Sequence, residues 1–73
     1  MRYYFHIQID GDLILDDEGI EFGDDELARE AAIKSAAELT REYPRPDRRG
    51  NPHLISVSDE MKRELFVVPI NMN

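Results

Sequence analysis

Residues 24–43 read DDELAREAAIKSAAELTREY, and the fold turns on them because no other segment is long and regular enough to form one unbroken helix. Leu27, Ala28, Ala31, Ala32, Ser35, Ala36, Leu39 and Tyr43 fall on one stripe at helical spacing, while Arg29, Glu30, Lys34, Glu38 and Arg41 point elsewhere. The stripe is apolar but built of small side chains. A helix with such a face can lie close to a flat surface, and the surface expected here is a β-sheet made from both ends of the chain. Asp24 or Asp25 can cap the first turn by accepting from free backbone amides, and Asp25, Glu26 and Glu30 suit the positive end of the helix dipole. Arg41 suits the negative end. Pro44 blocks continuation, so the helix is expected to end between Arg41 and Tyr43.

Working outward, Arg2 to Ile9 alternates, with Tyr3, Phe5, Ile7 and Ile9 on one face and Arg2, Tyr4, His6 and Gln8 on the other, the period of a half-buried strand. Asp10-Gly11-Asp12 interrupts it and Leu13 to Asp16 resumes an extended pattern, so the two runs predict a hairpin. Asp16-Asp17-Glu18-Gly19 ends the second strand, and Ile20 and Phe22 flank Glu21 as a short apolar clasp. Beyond the helix, Pro44 to Pro52 is rich in Pro, Arg, Gly and Asn and is expected to be the mobile loop. His53 to Ser58 predicts a third strand, Asp59-Glu60-Met61-Lys62 a polar turn, and Glu64 to Ile70 a fourth strand that is apolar on both faces. The expectation is an α+β fold of order β-β-α-β-β, a four-stranded sheet with one helix on one face. Because a two-sided apolar strand belongs inside a sheet, the first and last strands are expected to be central and the second and third outermost.

A chain of 73 residues makes one domain, 1–73, and can bury only roughly 60 % of the surface it exposes when unfolded. Cysteine is absent, so no disulfide adds stability, which points to a reducing compartment, the cytoplasm, or to oligomerisation as the extra source. The chain opens directly into a strand-like run, so no signal peptide is expected, and no window is long enough to span a membrane. A formal net charge of −7 opposes phosphate polyanions at long range, so nucleic acid and acidic membrane are not expected partners.

No chemistry-bearing motif emerges. His6 and His53 lack a third ligand, Cys or a second spaced His, so both are read as structural histidines on an exposed sheet face and no metal or cofactor is expected. Asp10, Asp12, Asp16, Asp17 and Glu18 crowd the first hairpin, but Leu13, Ile14 and Leu15 stand where calcium ligands would be needed. Ser35 belongs to the helix stripe, neither Ser56 nor Ser58 sits in a Gly-x-Ser-x-Gly turn, and the glycines form no phosphate loop, so no enzyme is expected. Arg41, Arg45, Arg48 and Arg49 are the one basic concentration and the only candidates for anion contact, diluted by Asp47 and without an aromatic platform.

Read together, Arg2-Tyr3-Tyr4-Phe5-His6-Ile7, Leu15-Asp16-Asp17-Glu18-Gly19-Ile20-Glu21, Leu27-Ala28-Arg29-Glu30-Ala31, Val57-Ser58-Asp59-Glu60 and Phe66-Val67-Val68-Pro69-Ile70 resemble a family of short uncharacterised proteins common in alphaproteobacteria. Its members look like an aromatic-His opening strand, an acidic Asp-x-Glu-Gly turn, an Ala-rich helix and a Val-Pro ending. This chain departs from them at Lys62, where the family usually has Gly. The resemblance implies a fold and no activity. The residues themselves point to a non-enzymatic interaction module, a homodimer, because Tyr4, His6, Ile14, Leu65 and Val67 are expected on the sheet face away from the helix, and Ile33 lies off its main stripe. The alternatives are an antitoxin-like or regulatory partner, since the Asp-Gly hairpin and Ala-Glu helix resemble the HicB antitoxin group over the first half of the chain, and an RNA- or phosphate-binding domain using the arginine loop.

Overall fold

The computed structural model describes residues 1–9, 11–43, 45, 49–50 and 52–70. The strands are β1 (Arg2–Ile9), β2 (Asp12–Ile14), β3 (Ile20–Glu21), β4 (Leu54–Ser58) and β5 (Glu64–Pro69), and the single helix, α1, spans Asp25–Glu42. The class is the expected α+β, with five strands in place of four because the apolar clasp at Ile20 is itself a short strand. All pairings are antiparallel, in the order β2-β1-β4-β5, with β3 also on β1. Ile7 stands opposite Ile14 and Tyr3 opposite Ile20, so residues 15–19 loop out against only residues 4–6 before the chain returns to the same edge of β1.

The helix forms where its signals place it. The Leu27 N–H donates to the Asp24 carboxylate at 2.9 Å, Asp25 and Glu26 occupy the first turn, and the Tyr43 N–H closes the far end on the Leu39 carbonyl. Of the expected stripe, Ala28, Ala32 and Ala36 are buried, whereas Ser35 is exposed and Leu27 is 47 % exposed. A line of residues four apart is narrower than the stripe read from sequence because the helix touches the sheet along one tangent, above β4 and β5. Tyr3, Ile9, Ile55, Val57 and Ile70 complete the buried core beneath it. At one end the Tyr3 hydroxyl donates to Asp25 at 2.5 Å, and this bond, with burial, pushes the phenol up to about 12. At the other, Tyr43 stands edge-on to the buried His53, whose carbonyl accepts from the Ile70 N–H at 2.8 Å. His53 therefore belongs to the core and not to an exposed face. The helix and β5 consequently run in the same sense. No helix among the described residues is long and apolar enough to cross a membrane.

The strand order corrects one expectation. The central pair is β1 with β4, and β5, expected to be inside, is an edge strand. Its two-sided apolar character has another cause. A bulge between Val57 and Ser58 gives β5 one extra residue, which brings Leu65 as well as Phe66 against the core, while Val67 is left outward. Hairpin β4–β5 turns through Asp59 to Lys62, where the Lys62 N–H donates to the Asp59 carbonyl and Lys62 adopts φ 64°. A left-handed residue closing a tight turn is a conformation that glycine adopts without strain, and here a lysine adopts it.

The buried alanine line leaves no room for added methylenes against the sheet, so Ala32→Leu is expected to cost roughly 1–3 kcal/mol in urea unfolding, and an unchanged midpoint would mean that this face is not packed. Lys62→Gly is expected to act oppositely, raising the unfolding free energy by about 1 kcal/mol as side-chain strain at positive φ is relieved.

Candidate functional site

Among the described residues, no element covers the sheet face opposite α1. By alternation it carries Tyr4, His6 and Gln8 from β1, Leu13 from β2, Leu54 and Ser56 from β4, and Glu64 and Val67 from β5. Shallow hollows of about 460 and 320 Å³ run across it, meeting at His6 and Leu15. The rim is apolar, with Leu13 59 %, Leu15 66 % and Val67 43 % exposed. The middle is polar, and there the Ser56 hydroxyl donates to Glu64 at 2.8 Å.

The acidic turn beside this face is folded inward. Asp16 accepts from the Phe5 N–H at 3.0 Å, filling the gap that the looped-out residues leave in the β1 ladder, and from the N–H groups of Glu18 and Gly19 at 3.1 and 3.0 Å. Burial pushes the Asp16 carboxyl up, but the three amides outweigh it and hold it below the ordinary range. The Asp16 N–H in turn donates to His6 Nδ1 at 3.0 Å, which assigns the neutral ring's proton to Nε2. Gly19 is required at the close of the turn: φ is +74°, and a Cβ would lie 2.7 Å from Arg2 Cγ. Both ends of the Asp-x-Glu-Gly sequence thus have a structural role. The second hairpin is organised the same way, since Asp59, 1 % exposed, accepts from the N–H groups of Met61 and Arg63 at 2.8 and 2.9 Å and from Arg63 Nε at 3.0 Å. The Arg63 amide is the chief reason that its carboxyl lies below the ordinary range.

A second surface lies on the other side of the sheet, where α1 overhangs the open edge of β5. The groove of about 840 Å³ is lined by Ile33, Ala37, Phe66, Val67, Val68 and Pro69, with Arg29 and Arg41 as its charged members. Sequence reasoning grouped Arg41 with the loop arginines and missed Arg29; their spacing of twelve residues on one helix was the available signal. Arg45 and Arg49 are exposed in the loop. Arg48 lies outside the described residues, as do 44, 46–47 and 51 of the loop expected to be mobile, and Asp10 of the first hairpin.

The six residues expected at one interface separate. Tyr4, His6 and Val67 share the outer face. Ile14 stands opposite Ile7, whose side faces α1, and is 57 % exposed only because the helix does not reach β2. Ile33 lines the groove, and Leu65 packs on the core because of the bulge. Among the described residues no group of three or more His, Asp or Glu is placed to hold a metal ion.

A family model, the domain of unknown function DUF6894, matches residues 2–71. No curated protein and no solved structure matches the chain.

Asp16 and Asp59 both have folded-state carboxyls below the ordinary value of 3.8, so their contribution to stability is present above that value and is lost as pH falls through the lowered ones. Urea unfolding followed through this window is expected to show an acid limb that Asp59→Asn makes shallower, and an unchanged limb would remove Asp59 from that role.

Proposed function

The chain belongs to the DUF6894 family, which brings no activity with it, and on that footing we propose that it is a non-enzymatic protein-interaction module whose partner is a second copy of itself. The observation that carries this reading is the uncovered outer sheet face, with Leu13, Leu15 and Val67 standing 43–66 % exposed around Tyr4 and His6. An apolar rim on an otherwise strongly charged chain is the kind of patch that a symmetric partner covers. The non-catalytic reading is supported by how the chain employs its inward-facing polar groups. Asp16 accepts from three backbone amides, Asp59 from two and from Arg63 Nε, and His6 Nδ1 from one, so each is committed to holding a turn. A bacterial cytoplasm suits a chain without cysteine, and an alphaproteobacterial source rests on the resemblance of its opening strand, acidic turn and Val-Pro ending.

Light scattering at micromolar concentration is expected to give about twice the chain mass of 8.5 kDa. Ser56→Arg, which puts charge and bulk at the centre of the face on a strand that is itself neither edge, is expected to return the protein toward the single-chain mass. A wild-type mass that stays at one chain across concentrations would overturn the reading.

A further inference from the structure

Among the described residues the strand order β2-β1-β4-β5 ends in open edges at β2 and β5, and these two are complementary. On β5, Ile70 bonds to His53 across the ladder, so by alternation Phe66 and Val68 also turn their backbone groups to β4, and Val67 turns its N–H and C=O outward. Pro69 offers no N–H, which limits this edge to a short stretch around Val67. On β2, Asp12 and Ile14 pair with β1, and Leu13 turns its backbone outward. The charges differ in sign: Arg29 and Arg41 flank the groove beside β5, while Asp12 and Asp17 flank Leu13, Ile14 and Leu15, three consecutive residues each more than half exposed.

We propose that β2 of one copy docks antiparallel along the β5 edge of another, under α1, joining copies head to tail. This goes beyond the pairing of faces: it uses the backbone edges and the groove under α1, and shares with the face only the side chains of Leu13 and Val67. The strand directions allow it without distortion, because the alternating order β2-β1-β4-β5 continues as antiparallel when a further β2 follows β5. With Leu13 set opposite Val67, their side chains meet on the outer face and Ile14 enters the groove beside Ile33 and Phe66; Leu13, Ile14, Ile33 and Val67 are 43–59 % exposed in a single copy. Since α1 and β5 run in the same sense, the antiparallel strand brings Asp12 toward Arg41 and Asp17 toward Arg29. Like-with-like pairing has none of this: two β5 edges would oppose arginine to arginine, and two β2 edges aspartate to aspartate. A strand laid on an open edge beside a helix is an established mode of recognition, in which backbone bonds supply affinity and the groove supplies selectivity.

The chain has no cysteine, so the contact can be read by disulfide formation between chains carrying one each. Leu13→Cys chains mixed with Val67→Cys chains under mild oxidation are expected to cross-link about tenfold faster than Met61→Cys chains mixed with Val67→Cys chains, Met61 being more exposed but away from β2. Adding Arg29→Glu and Arg41→Glu to the Val67→Cys chain is expected to abolish the excess, and Asp12→Lys with Asp17→Lys on its partner to restore it. Ser56→Arg on both chains is expected to leave the excess in place, which separates failure of the face from failure of the edge. A rate equal to the Met61 control, an excess of Val67–Val67 or Leu13–Leu13 product, or indifference to charge reversal would overturn the proposal.

Discussion

The bond from the Tyr3 hydroxyl to Asp25 is the constraint around which the rest is arranged. Tyr3 is wholly buried in β1, pairs with Ile20 of β3, meets the ring of Phe22 edge-to-face at a 6.0 Å centroid distance, and reaches the first residue of α1. One side chain thereby sets how the strand, the clasp and the helix start lie relative to one another. A buried hydroxyl left without its acceptor is unfavourable, so the helix N-terminus has little freedom to settle elsewhere. With that end fixed and the other closed by Tyr43 and His53, the alanine line is held over β4 and β5, and among the described residues β2 is left without a helical cover on either face. Both candidate surfaces follow from that offset.

The elements were legible in the sequence because each carries a local signal. Alternation from Arg2 to Ile9, the Asp24 cap and the small-residue stripe place β1 and α1 to within a residue of where they lie. What could not be read depends on partners distant in sequence. A single extra residue in β5 turns Leu65 to the core, and no propensity marks that insertion. Two-sided apolarity in the last strand was read as central position, but a strand beside an overhanging helix and a bulge shows the same pattern at an edge. Ile14, expected on the outer face, is set on the other by its pairing with Ile7. His53 looked like the start of an exposed strand and is buried because the helix end folds over it.

The candidate site was legible in part for the same reason. Apolar residues in surplus of what one helix can cover were countable, and Tyr4, His6 and Val67 do share a face. The groove was hidden, since it exists only once α1 lies beyond the last strand. The acidic residues illustrate the limit most clearly: in sequence Asp16 and Asp17 are equivalent turn formers, yet the first is enclosed by three amides and the second is exposed. Only the return of the chain to the edge of β1 distinguishes them.

The pairing at the centre of the sheet also bears on how the chain acquires its shape. β1 and β4 join Tyr4 to Ser58 and Gln8 to Leu54, so the middle of the molecule is made from its two extremities, and a long intervening stretch must be gathered before the first of those bonds can form. Closure entropy of that kind slows folding relative to chains built from neighbouring contacts. Each terminal hairpin can fluctuate into being alone, but neither has a hydrophobic partner until the two meet, and a two-stranded ribbon in water is marginal. During synthesis the N-terminal hairpin emerges before the last strands and waits for them, with Tyr3 and Ile9, both buried in the finished fold, still uncovered.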